Sequence, residues 1–201
     1  MRSAGIVLAA GSSTRMGRPK QLLPVNGRPL LQLVVEQACA ARLDEVLVVL
    51  GAQAEEVRAR VDMGRARVVV NPDHESGMAS SLRCGVAALG KEVARLVVIL
   101  GDQPTVTSRQ IDQLLDLHRS SGLPAAALSF DGLLHPPVVL GRDLWPALSS
   151  LEGDVGCRAI IRARPDQVAA LPVPDAHRHP VDIDTPQDYE RLIGASPEPP
   201  A

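Results

Sequence analysis

Short runs of Val, Ile and Leu alternate with segments of helical periodicity through the first 120 residues of this chain. The strongest run, Leu96-Val97-Val98-Ile99-Leu100, is apolar at every position instead of every second one. A strand written that way is covered on both faces. Candidate strands occupy 5–10, 45–50, 67–70, 95–100, 125–128, 137–140, 168–171 and 181–183. Between them, Leu30, Leu31, Val34, Val35 and Ala38 fall on one helical stripe. Met78, Leu82, Val86 and Leu89 form a second, and Ile111, Leu114, Leu115 and His118 a third. Such alternation predicts right-handed βαβ units and an α/β fold around a mostly parallel sheet.

The rhythm changes after Gly122, where shorter strands, the pair Pro136-Pro137 and the stretch Glu152-Gly153-Asp154-Val155-Gly156 take over. This predicts a second half, about 123–194, built onto the sheet of the first, about 1–122, within one domain spanning 1–194. The tail 195–201, ASPEPPA, has no apolar face and is expected to be disordered.

Bulk properties exclude several function classes. With 201 residues the chain suits one substantial domain, and its net charge of −2 offers no broad attraction to nucleic acid or anionic membrane. Phe130, Trp145 and Tyr189 are the only aromatic side chains besides histidine, too few for base stacking along a single strand. Neither nucleic acid nor membrane is an expected partner. Cys39, Cys84 and Cys157 are odd in number and widely spaced, which reads as reduced thiols. No signal peptide or membrane-spanning run is recognised, so the expected compartment is the cytoplasm. No exposed apolar stripe is evident, so a monomer is expected.

The segment from Gly5 to Pro24, GIVLAAGSSTRMGRPKQLLP, is a buried strand opening into a loop of small residues with two fixed cations. Small side chains let backbone N–H groups approach an anion, and nearby cations neutralise a polyphosphate. Lys20 and Lys91 are the only lysines in the chain, which makes a lysine in this loop hard to dismiss as surface charge. Two familiar loops fail on spacing. A P-loop needs four residues before Gly-Lys-Ser/Thr, whereas five separate Gly11 from Gly17 and Arg-Pro-Lys follows. The dinucleotide fingerprint needs G-x-G-x-x-G, and no glycine follows Gly11 until Gly17.

The remaining pattern, Leu8-Ala9-Ala10-Gly11-Ser12-Ser13-Thr14-Arg15-Met16-Gly17-Arg18-Pro19-Lys20, resembles the signature of nucleotidyltransferases with a glycosyltransferase-A-like, Rossmann-like three-layer fold. Within that group the chain is most similar to the molybdenum-cofactor cytidylyltransferases. The later pieces of the likeness are Asn71-Pro72-Asp73, Gly77-Met78-Ala79-Ser80-Ser81, Gly101-Asp102-Gln103-Pro104, His135-Pro136, Gly153-Asp154-Val155-Gly156 and Val181-Asp182-Ile183-Asp184-Thr185-Pro186.

The resemblance implies transfer of CMP from CTP to the terminal phosphate of molybdopterin or the molybdenum cofactor, with pyrophosphate leaving. CTP and a phosphorylated pterin would be the substrates, and a molybdoenzyme could receive the product. Catalytic roles fall to Lys20, on the α-phosphate, and Arg15, on the leaving phosphates. Leu8, Ala9, Ala10, Gly11, Ser12, Asn71, Gly77, Ser81 and Asp102 would bind the nucleotide, although Asn71 and Ser81 also read as a turn and helix start. Asp102 and Asp184 would hold Mg²⁺, with Mn²⁺ as the alternative ion, Asp182 as the reserve ligand, and helix capping as the other reading of Asp184. His135, Asp154 and Gly156 would meet the acceptor, with loop hydrogen bonding as the other reading of His135. Relatives using GTP carry Leu-Ala-Gly-Gly after the first strand; the methyl of Ala10 narrows that space and favours CTP. GTP, another phosphorylated acceptor, or a non-catalytic molybdenum-cofactor carrier are the competing readings.

Overall fold

The computed structural model describes residues 1–13, 16–173 and 182–194. Arg15 and the tail 195–201 lie outside the described residues. One seven-stranded sheet organises the chain. Strand β1 (Arg2–Ala9) lies between β4 (Glu45–Leu50) and β6 (Val93–Leu100), parallel to both, and β5 (Arg67–Val70) follows β4 in parallel. Beyond β6, β8 (Leu133–Gly141) runs antiparallel to β6 and to β7 (Ala125–Phe130). Strand β9 (Val168–Pro172) ends the order, parallel to β7. A small separate hairpin pairs β2 (Pro24–Val25) with β3 (Arg28–Pro29).

Alternate strand residues build the two cores, as the period of two requires. Val97 and Ile99 of β6 pack with Val7 and Val48 beneath α1 (Leu30–Ala40), α2 (Ala54–Arg60) and α4 (Ser108–Ser121). Leu96 and Val98 face the other way, with Ile6 and Val49, toward α3 (Met78–Ala87), α5 (Trp145–Ser149) and α6 (Cys157–Arg162). Both faces of the central strands are therefore covered, which explains why their sequence is continuously apolar. Truncating a fully buried Leu or Ile here to Ala should cost about 2–5 kcal/mol. Helix α4 is the best delimited of these: Thr107 and Gln110 form a reciprocal capping box, and Gly122 ends it in the left-handed conformation (φ 67°).

Two departures from the expected elements have physical causes. The strand expected at 137–140 extends back to Leu133 and is antiparallel, because Asp131 and Gly132 (φ 48° and 78°) turn the chain tightly after β7. Of the strand expected at 181–183, Val181 lies outside the described residues and Asp182 and Ile183 join no ladder. Instead the Ile183 N–H donates to the Asp102 carbonyl at 3.3 Å. The Ile183 side chain is buried with Leu23, Val25 and Leu30. The final helix, α7 (Pro186–Gly194), is tied to that cluster: Tyr189 donates its hydroxyl to the Pro24 carbonyl at 2.5 Å, and Arg18 lies over the Tyr189 ring at 5.9 Å. No helix among the described residues is long and apolar enough to cross a membrane.

Candidate active site at the carboxyl edge of the sheet

Parallel strands present their carboxyl ends at one edge, and β1, β4 and β6 all end there. After β1 the chain passes through Ala10 and Gly11, where a Cβ would meet nothing within 4 Å. Ser13 takes the left-handed conformation (φ 54°), and its hydroxyl accepts from the Lys20 N–H at 3.0 Å. A single 3₁₀ turn, Lys20–Leu22, then carries the lysine over the strand ends.

The Lys20 ammonium donates to a carboxylate oxygen of Asp102 and, at 3.1 Å, to one of Asp184. Those partners stand 82 and 164 positions from it in the sequence. Two carboxylates on one nitrogen lie no further apart than two hydrogen-bond lengths. Burial acts to push the lysine down, but the charges and hydrogen bonds of Asp102, then Asp184, outweigh it and hold the ammonium above its ordinary range. Asp102 follows β6 directly, so the sheet fixes it. Burial pushes its carboxyl up, opposed by Lys20 and reinforced by the charges of Asp182 and Asp184.

Asp184 stands just before the start of α7, which Thr185 and Asp188 cap. One Asp188 oxygen accepts from the Thr185 N–H at 2.8 Å and hydroxyl at 2.7 Å. The same oxygen accepts from the Asp184 N–H at 3.3 Å, so the cap also orients the residue that meets Lys20. Asp182 is engaged elsewhere, accepting from buried Gln103 at 2.6 Å and lying 3.9 Å from Arg158. Asp184, not Asp182, shares Lys20 with Asp102. Two converging carboxylates form an oxygen donor set that could hold a hard divalent cation.

Two adjoining cavities, of about 490 and 480 Å³, open on either side of this pair. Leu8, Gly11, Ser12, Lys20, Met78, Asp102 and Asp154 border both. The first is completed by Ala9, Ala10, Gln21, Gly77 and Ser81, with His74 and Glu75. Gly156, Pro136, Cys157, Arg158, Asp182 and Asp184 line the second, with Met16 and Val98. Gly77 cannot be replaced cheaply: its φ is 92°, and a Cβ there would overlap the Gly153 backbone. That contact brings the amino end of α3 against the Gly153 loop, where Asp154 accepts from the Met78 N–H at 3.3 Å.

Two of the expected site residues line neither cavity. Asn71 is buried and donates to the Ser80 and Ser81 hydroxyls at 2.8 and 3.1 Å, so it braces the cavity wall from behind. His135 sits in β8 with its ring edge-on to Phe130 at 5.7 Å, and its neighbour Pro136 reaches the cavity instead. Cys157 does border the second cavity, but burial pushes its thiol up to about 12, away from the thiolate form. Gln21 escaped the sequence reading; its signal was a lone amide between Lys20 and the apolar pair Leu22-Leu23.

A half-buried lysine and paired carboxylates between two cavities suit substitution at a phosphorus centre, and the fold is that of a glycosyltransferase-A-like nucleotidyltransferase. Residues 5–170 match the family described as the MobA-like NTP transferase domain, and the chain belongs to that family. It is 37% identical over 198 residues to nicotine blue oxidoreductase of Paenarthrobacter nicotinovorans, covering 94% of this chain and 95% of that one. It is 31% identical over 198 residues to purine catabolism protein PucB of Bacillus subtilis, covering 94% of each. The crystal structure of Rv0371c from Mycobacterium tuberculosis in complex with manganese superposes with a TM-score of 0.84 at 29% identity, over 98% of this chain and all of that one.

Proposed function

We propose that the protein transfers CMP from CTP to the terminal phosphate of molybdopterin or the molybdenum cofactor, releasing pyrophosphate. One observation carries this reading: Lys20, tied to Asp102 and Asp184, stands where the two cavities join. A nucleotide in the cavity of Ala10 and Ser81 and an acceptor in that of Pro136 and Arg158 would meet at the lysine.

In this scheme Gly11 and Ser12 receive the triphosphate, and Lys20 stabilises charge growing on the α-phosphate oxygens. Arg15 holds the leaving phosphates. At an effective dielectric near 20, a unit-charge pair at ~4 Å is worth ~4 kcal/mol, so either cation matters. Asp102 and Asp184 would hold Mg²⁺ or Mn²⁺, a role supported by the manganese found with Rv0371c. When bound, such an ion neutralises phosphate charge. Asp154, Gly156 and Arg158 would face the acceptor phosphate, the arginine offering a fork of donors. The 1–122 half supplies most of the nucleotide side and the 123–194 half much of the acceptor side. The enzyme acts as a monomer in the cytoplasm, where Cys39, Cys84 and Cys157, all unpaired, remain reduced.

Ala10 underlies the choice of base. It is buried and borders the nucleotide cavity, so its methyl occupies room that a purine would use. The test is incubation with each labelled nucleoside triphosphate and the phosphorylated pterin. CMP on the pterin is the expected product; GMP there, without CMP, overturns the base assignment. The name of the P. nicotinovorans relative suggests redox chemistry instead, but the first loop lacks the spacing of a dinucleotide fingerprint. Oxidation of NADH or NADPH without nucleotidyl transfer would favour that alternative.

A further inference from the structure

Gln21 is 4% exposed, and both hydrogens of its side-chain amide are engaged: Nε2 donates to the carbonyls of Ala9 and Gly11, each at 2.9 Å. Its oxygen accepts from the Ser13 hydroxyl at 3.4 Å, the same hydroxyl that accepts from the Lys20 N–H. One side chain thus grips the loop at Ala9, Gly11 and Ser13 while sitting next to Lys20 in the chain.

We infer that Gln21 is a positioning residue that fixes the electrical polarity of the phosphate loop. A trans peptide holds its N–H opposite its C=O. With the Gly11 carbonyl drawn to Gln21, the Ser12 N–H of that same peptide faces away from it. Ser12 and Gly11 border both cavities, so this turns a donor toward an incoming anion and keeps a carbonyl lone pair out of its path. Without the amide, two carbonyls lose their partner and are free to rotate, and an anion meets mixed polarity. The inference rests on the proposed function in one respect, that this loop receives phosphates.

Inorganic pyrophosphate with Mg²⁺ is the probe, because it is indifferent to base and acceptor. Gln21→Met keeps length and removes the donors; Gln21→Glu sets a carboxylate against the carbonyls. Titration calorimetry of the full chain should show pyrophosphate affinity falling about tenfold or more in Gln21→Met, and further in Gln21→Glu. CMP, with one phosphate, should lose less. A folded Gln21→Met that binds pyrophosphate within about twofold of the wild type overturns the inference. In the wild-type protein, pyrophosphate should shift the Ser12 amide proton downfield while the Gln21 side-chain amide stays protected from exchange. An unmoved Ser12 amide, or loss of that protection, overturns it even if neither variant folds. A wild type that binds pyrophosphate but makes no CMP-pterin refutes the proposed function and leaves this inference standing.

Discussion

Lys20 and Asp102 form an ion pair at the floor of the cleft, with Asp184 on the other side of the same ammonium. The lysine and Asp102 side chains are only 18% and 15% exposed, so solvent screens them less than a surface pair. The lysine holds the two carboxylates together, and a divalent ion drawn to them must compete with it. Lys20→Met should therefore have two opposite effects. Single-turnover CMP transfer should fall by about 10³-fold, the rate equivalent of ~4 kcal/mol. Mn²⁺ binding without nucleotide, followed by electron paramagnetic resonance, should tighten. Unchanged Mn²⁺ affinity would show that the ion binds elsewhere.

Chelation separates catalysis from folding. The Lys20 ammonium already offsets part of the charge of Asp102 and Asp184, so the fold is expected to stand without an added ion. EDTA should abolish transfer and leave the thermal midpoint within about 2 °C, since the sheet and its two cores are untouched. Asp102→Asn and Asp184→Asn should fold and show no recovery when Mg²⁺ is restored. Differential scanning fluorimetry beside a pyrophosphate-release assay reads both.

Asp188 gives a pH dependence with a definite sign. The Thr185 hydroxyl, helped by the backbone N–H groups of Thr185 and Asp184, holds the Asp188 carboxyl below its ordinary value of 3.8. A depressed folded-state value contributes stability above the unfolded value, lost as pH falls through the folded one. Asp188→Ala should thus lower stability at pH 7 by about 1 kcal/mol, the usual worth of a helix cap. The difference should close as pH drops below 3.8. Transfer should also weaken, because the cap orients Asp184. Thermal melts across the acid range test the first claim and kcat the second.

Ala10→Gly should relax the choice of base. Removing one methyl is worth ~1–3 kcal/mol, so the CTP-to-GTP ratio of kcat/KM should drop by about 10–100-fold. A ratio that does not move would assign base selection to other residues of that cavity.

The central strands were readable because burial on both faces writes itself as an unbroken apolar run; 45–50 and 67–70 agree with β4 and β5 residue for residue. The antiparallel addition was also written, though in its turns. Asp131-Gly132 and Asn26-Gly27 both adopt positive φ at two successive residues, the mark of a tight hairpin, and neither was recognised as one. Helix α2, AEEVRAR, is short and mostly polar, so its periodicity was too weak to stand out. The meeting of Lys20 with Asp184 could not be derived from spacing, because chain separation carries no distance; the resemblance linked Asp184 only with Asp102. Asn71 and His135 line neither cavity for one reason. Residue type says what a side chain can bond, whereas the neighbours Ser80, Ser81 and Phe130 decide what it does bond.

The clasp between Tyr189 and Pro24 has a consequence for biosynthesis. Among the described residues every strand of the large sheet has been made once Pro172 is joined, yet Asp184 and the helix beside it are synthesised afterwards. The β-scaffold can thus be complete before Asp184 exists to meet Lys20, and docking of the last helix against the hairpin at Pro24 accompanies that meeting.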